Sequence, residues 1–149
     1  MGKLATVGQR LKWLTAFFAA GDPGRPLDPV RIQKGMFLLS QEGTAPLKGL
    51  YQFEPYHFGP MSFQLYHDLD ALTSSGALQS QVPPGQTWKT YGLTDRGQQR
   101  GREALAQADP ATRKAIVETM DFVKTRSFRR LLKDVYSKYP AYAAKSVLR

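Results

Sequence analysis

The lysines and arginines of this chain are the residues whose types and spacing could do chemistry, and that chemistry is the holding of a polyanion. Near the C-terminus, Phe128, Leu132, Val135 and Tyr139 recur on one side of a helix. Arg126, Arg130, Lys133 and Ser137 recur on the opposite side at helical spacing. Arg129 flanks this track, and Arg113, Lys114 and Lys124 are near enough in sequence to extend it. A row of such cations neutralises phosphates and releases counterions, so its binding weakens steeply with salt. A solvated helix face carries the same pattern without any partner.

A second basic group follows a hairpin signal: Arg96 and Arg100 at i and i+4, with Lys89 in the hairpin itself. Arginines flanking a β-hairpin suit the DNA backbone and minor groove. The competing reading is a local ion pair, since Glu103 lies three residues beyond Arg100.

Between these groups and the N-terminus lies a segment with Leu65, Leu69 and Leu72 at i, i+4 and i+7. If the leucines face inward, Phe63, Gln64, His67, Asp70, Ala71 and Ser74 face outward, with no lysine or arginine among them. Gln64 can pair with adenine and His67 can donate to a base or phosphate, whereas Asp68 and Asp70 would repel the backbone. Alternatively, Phe63, His67 and Asp70 form a face for a protein partner. The aromatic run Tyr51, Phe53, Tyr56, Phe58 can stack on unpaired bases, but core packing is its more ordinary use.

Other chemistries are poorly served. There is no cysteine, which excludes disulfides, thiolate zinc sites and thiol catalysis. Only two histidines exist, His57 and His67, on different elements; with Glu54 and Asp70 they lack metal-ligand spacing. No nucleophile elbow, P-loop or dinucleotide fingerprint occurs, so neither catalytic residues nor a cofactor are expected.

The charge is uneven. The formal net charge is +9, with seven cations against six carboxylates in residues 1–75 and fourteen against six in residues 76–149. A concentrated positive field attracts nucleic acid or an anionic surface from a distance. Arg10 and Lys12 interrupt the apolar N-terminal stretch, and no uncharged run reaches the eighteen or so residues of a membrane span. A cytoplasmic location and no membrane contact are expected.

The elements that must position these residues read as follows. Val7, Leu11, Leu14 and Phe18 predict a helix from about Leu4 to Ala20, closed by Gly21-Asp22-Pro23-Gly24. Asp28 as N-cap and Pro29 predict a second helix to about Gln41. Short extended pieces follow over Tyr51–Phe58, then a third helix capped by Ser62 and stopped by Gly76. Leu78–Val82 and Trp88–Leu93 predict a β-hairpin. Thr94, Asp109 and Ser127 start three further helices, the first with Gly97, Gly101, Ala104 and Ala108 on a side that lets a neighbour approach closely. The expected fold is mainly α with a small hairpin (α+β): a winged helix-turn-helix over about 4–97 with additional C-terminal helices over 98–149, in one domain.

The runs RIQKGMFLLSQEG (Arg31–Gly43), YQFEPYHFGPMSFQLYHDLDALTSSGAL (Tyr51–Leu78) and YGLTDRG (Tyr91–Gly97) resemble the YwgA-like group of small prokaryotic proteins. They are more distantly similar to the Panacea domain of antitoxins. The shared features are a Q-K-x-x-F/Y-L-L helix, an aromatic strand ending in G-P-x-S, a D-L-x-x-L helix and Y-x-L-T-x-x-G. Gly35 departs from that pattern, which carries a leucine there. The resemblance implies a winged-helix-like regulator or a toxin-neutralising partner. Duplex DNA, bound as a homodimer because two-fold operators need two reading modules, is the first expected partner, and a protein the second.

Overall fold

The structure, a computed structural model, describes residues 4–147. Its helices are α1 (Val7–Ala19), α2 (Pro29–Glu42), α3 (Phe63–Ser74), α4 (Asp95–Gln107), α5 (Pro110–Thr125) and α6 (Phe128–Lys138). Two antiparallel hairpins separate them: β1 (Glu54–Tyr56) with β2 (Gly59–Met61), and β3 (Leu78–Gln81) with β4 (Thr90–Leu93). A short 3₁₀ turn, Pro140–Ala143, follows α6. The chain is therefore mainly helical with small antiparallel sheets.

The helix starts are written in single residues. Among the described residues, Thr6, Asp28, Ser62, Thr94, Asp109 and Ser127 each accept a hydrogen bond from the N–H three positions on. Each thereby satisfies one of the amides that a helix N-terminus leaves without a partner. At α1 the cap at Thr6 starts the helix later than expected, and Val7 is exposed. The apolar face of α1 begins in effect at Leu11 and is buried from Trp13 to Phe18.

Gly101 of α4 meets α1, and Gly97 meets the chain entering β3. A β-carbon on Gly101 would lie 2.8 Å from the Thr15 carbonyl oxygen, and one on Gly97 would collide with the carbonyl of Ala77. Gly35 is explained in the same way: the space a side chain would need there is filled by the ring of Phe17. Two helices can approach this closely only where neither backbone carries a bulky group. Ile116, Met120 and Val123 of α5 are buried, with α5 packed against α2.

The C-terminal part shares this core. Phe37 of α2 meets Phe53, Tyr139 and Tyr142 edge to face, with centroids 5.3, 4.9 and 4.7 Å away. On α6 the buried residues are Leu131, Leu132 and Val135, while Phe128 is half-buried against Phe58. The apolar face is thus turned by part of a helical step from the expected one.

Two further contacts organise the middle of the chain. Leu27, between α1 and α2, pairs with Tyr91 of β4 through two backbone hydrogen bonds of 2.8 and 2.9 Å, adding a bridge to the second hairpin. Gln33 and Lys34 hold the chain leaving β2: the Gln33 side chain bonds both backbone groups of Ser62, and Lys34 Nζ donates to the Pro60 carbonyl at 3.0 Å. Lys34 is only 3% exposed. Burial, partly opposed by the charge of Asp28, lowers its pKa to about 7.

Candidate nucleic-acid interface

Helix α3 presents the expected faces. Leu65, Leu69 and Leu72 are buried, while Phe63, Gln64, His67, Asp70, Ala71 and Ser74 are exposed. Asp68 departs from expectation. It is buried, and it accepts from Arg10 Nε at 2.9 Å, from the Tyr51 hydroxyl at 2.5 Å and from Gln64 Nε2 at 3.1 Å. Arg10 neutralises it, so it cannot repel an approaching phosphate; Asp70 remains the exposed carboxylate of this helix. Burial, together with this carboxylate, pushes the Tyr51 phenol far above its ordinary pKa. Gln64 spends one amide hydrogen inside this network, which limits what it can offer to a base.

The second hairpin carries Lys89 exposed on its far side, next to a half-exposed Trp88. Arg96, in the first turn of α4, donates from Nη1 to the carbonyl of Ser75 at 2.9 Å, capping the C-terminal end of α3 with a cation. Arg100 follows one turn on, exposed. The ion pair with Glu103 considered from sequence does not form: Glu103 instead accepts from Gln99 at 3.5 Å. Among the described residues, Lys89, Arg96 and Arg100 make no ion pair with a carboxylate.

The C-terminal track is broken. Arg126 and Arg130 converge on Asp134, at 3.0 and 3.1 Å. Arg126 lies before α6, so its side chain turns back onto the last turn of α5. There it sits 3.6 Å from the centroid of Phe122 and donates to that residue's carbonyl. Burial would raise the pKa of Asp134, but hydrogen bonds from and charges on the two arginines outweigh this and hold it below the ordinary carboxylate value. Lys133 stays exposed and makes no ion pair among the described residues, with Arg129 one turn before it. Arg113 donates to the carbonyls of Leu105, Ala106 and Ala108 at the end of α4. Lys114 pairs with Glu118 and Lys124 with Asp22. The i,i+4 spacing of Arg130 and Asp134 is a signal the sequence carries; the turn-back of Arg126 is not.

The aromatic run divides. Tyr51 is buried and Phe53 half-buried in the core, while Phe58 is 42% exposed at the β1–β2 turn. Among the described residues no group of three His, Asp or Glu side chains gathers as a metal would require. No helix among them is long and apolar enough to cross a membrane. Comparison with protein-family models gives no match, and comparison with curated proteins gives none either.

Proposed function

We propose that this chain is a winged-helix DNA-binding protein, a transcriptional regulator in the cytoplasm that holds duplex DNA as a homodimer and grips chiefly its phosphate backbone. The observation that carries this reading is the bond from Arg96 to the end of α3. It ties the head of α4 to the would-be recognition helix, with Arg100 one turn further and Lys89 on the adjoining hairpin, all three without a carboxylate partner among the described residues. The Leu27–Tyr91 bridge supports the fold half of the reading, because a strand between the first two helices that pairs with the hairpin is the arrangement of a winged helix.

The connection between α2 and α3 is longer than the 3–4 residues of an ordinary helix-turn-helix, since the β1–β2 hairpin is built into it. With Gln64 partly engaged, His67 is the freest base-reading candidate on α3. Backbone contact then dominates, and specificity is modest.

Duplex binding followed across a salt series tests this. Affinity falls steeply with salt, and Arg96→Ala and Arg100→Ala each reduce the slope of log K against log salt by about 0.9. A slope near zero in the unsubstituted protein rules the reading out.

One observation favours a second reading, a protein-interaction module of the antitoxin or adaptor kind. Phe63 is 50% exposed on a helix face that has Asp70 and no cation, which suits a protein surface better than phosphates. Phe63→Ala then abolishes partner capture and leaves duplex binding intact.

A further inference from the structure

The turn between β1 and β2 carries rings, and the elements beside it carry cations, that the duplex reading does not use. The His57 ring is stacked on Tyr56, with centroids 4.4 Å apart and planes 18° from parallel, and His57 is exposed. Phe58, the next residue, meets Phe128 of α6 edge to face at 5.5 Å. Gly59 then takes a positive φ of 92°, and its Cα side faces Tyr136 and Leu132 of α6. The turn therefore sits on the edge of α6 that holds Phe128, Leu132 and Tyr136.

That edge is cationic. Arg129 follows Phe128, and Lys133 lies one turn on; at about 100° per residue both fall within a narrow sector beside Tyr136. The C-terminal segment closes the other side: the Tyr136 hydroxyl bonds Ser146 at 2.7 Å and the Val147 N–H donates to the His57 carbonyl at 3.0 Å, which brings in Lys145. Arg129, Lys133 and Lys145 are exposed, and none makes an ion pair among the described residues. Asp134 is occupied by Arg126 and Arg130, and Glu54 lies at the end of the hairpin away from the turn.

We propose that this surface binds single-stranded nucleic acid, with an unpaired base continuing the Tyr56–His57 stack beside Phe58 and the adjoining phosphates meeting Arg129, Lys133 and Lys145. Two features favour a strand over an acidic protein segment. A stacked ring exposed to solvent offers a π face, which every base can use regardless of sequence. Arg129 adjoins Phe128, whose ring meets Phe58, and Lys145 lies in the segment bonded to His57, so the cations and the rings belong to one surface. The surface is built from residues other than Lys89, Arg96 and Arg100, so its failure and that of the duplex reading are separable.

Fluorescence anisotropy with an end-labelled oligothymidine of about fifteen nucleotides, and with a duplex of equal length, tests the proposal on the full chain. His57→Ala/Phe58→Ala weakens strand binding about tenfold and leaves duplex binding unchanged. Arg129→Gln/Lys133→Gln lowers the salt slope for the strand by about 1.4. Arg96→Ala/Arg100→Ala acts on the duplex alone. On the unsubstituted chain, the His57 ring protons move upfield as the strand is added. Strand binding that ignores the ring variants, or His57 resonances unmoved at saturating strand, overturns the proposal. So does a glutamate-rich peptide of matched charge that displaces the strand at equal concentration, because the cations would then be acting without the rings.

Discussion

The carboxamide of Gln33 closes a two-bond ring with the backbone of Ser62, donating to its carbonyl at 2.9 Å and accepting from its N–H at 2.8 Å. Ser62 in turn caps α3. One buried side chain on α2 therefore fixes where α3 begins. With Lys34 on Pro60, it also explains why a Q-K pair and a G-P-x-S stretch occur together in this chain: they are two halves of one contact. This is a structural role.

Gln33→Met keeps the volume and removes both bonds, leaving a buried N–H and a buried carbonyl without partners. We expect a loss of about 2–4 kcal/mol, read as a lower urea midpoint with an unchanged m-value. A loss below about 0.5 kcal/mol would mean that water or a neighbour replaces the amide.

The Lys34 amine has its pKa lowered to about 7 in the folded protein by burial, against 10.5 for the free side chain. Between these values the unfolded chain binds the proton and the folded chain does not, so stability rises with pH from about 7 to about 10. Below pH 7 both states are protonated, and the penalty of the buried charge is felt in full. Urea midpoints at pH 6.5, 8 and 9.5 should increase in that order for the native chain, and the part of the rise due to Lys34 should vanish in Lys34→Met. Equal slopes in the two proteins would assign the effect elsewhere.

Gly35→Ala drives a methyl group into the Phe17 ring. The expected cost is about 1–3 kcal/mol. Phe17→Leu makes room, so the double variant should lose less than the two single losses added together; strict additivity in a thermal or urea double-mutant cycle would show that the two sites do not touch.

Asp68→Asn removes the charge that Arg10, Tyr51 and Gln64 surround, leaving Arg10 half-buried without its partner. A loss of about 3 kcal/mol is expected, whereas Asp70→Asn, two residues away and exposed, should stay within about 0.5 kcal/mol. Similar losses at both positions would contradict the inward orientation of Asp68.

Much of this molecule was legible as one-dimensional pattern. The capping residues Asp28, Ser62, Thr94, Asp109 and Ser127 and the leucine register of α3 act within a turn or two of chain, and their consequences appear where the spacing puts them. The outward face of α3 follows from that register alone. The surplus of cations in the second half is equally a property of composition.

What each cation is free to do was decided only by the tertiary structure. Arg126, Arg130, Lys124 and Arg113 look alike in sequence to Arg129, Lys133, Lys89 and Arg100. The first four are bound to carboxylates or carbonyls, at sequence separations from four residues to 102. The second four make no ion pair among the described residues. Asp68 and Asp70 part in the same way, one facing Arg10 across 58 residues and one facing solvent. Backbone hydrogen bonding and helical period are local, so residue order sets them; charge pairing acts through space, and depends on which elements the packed core brings together.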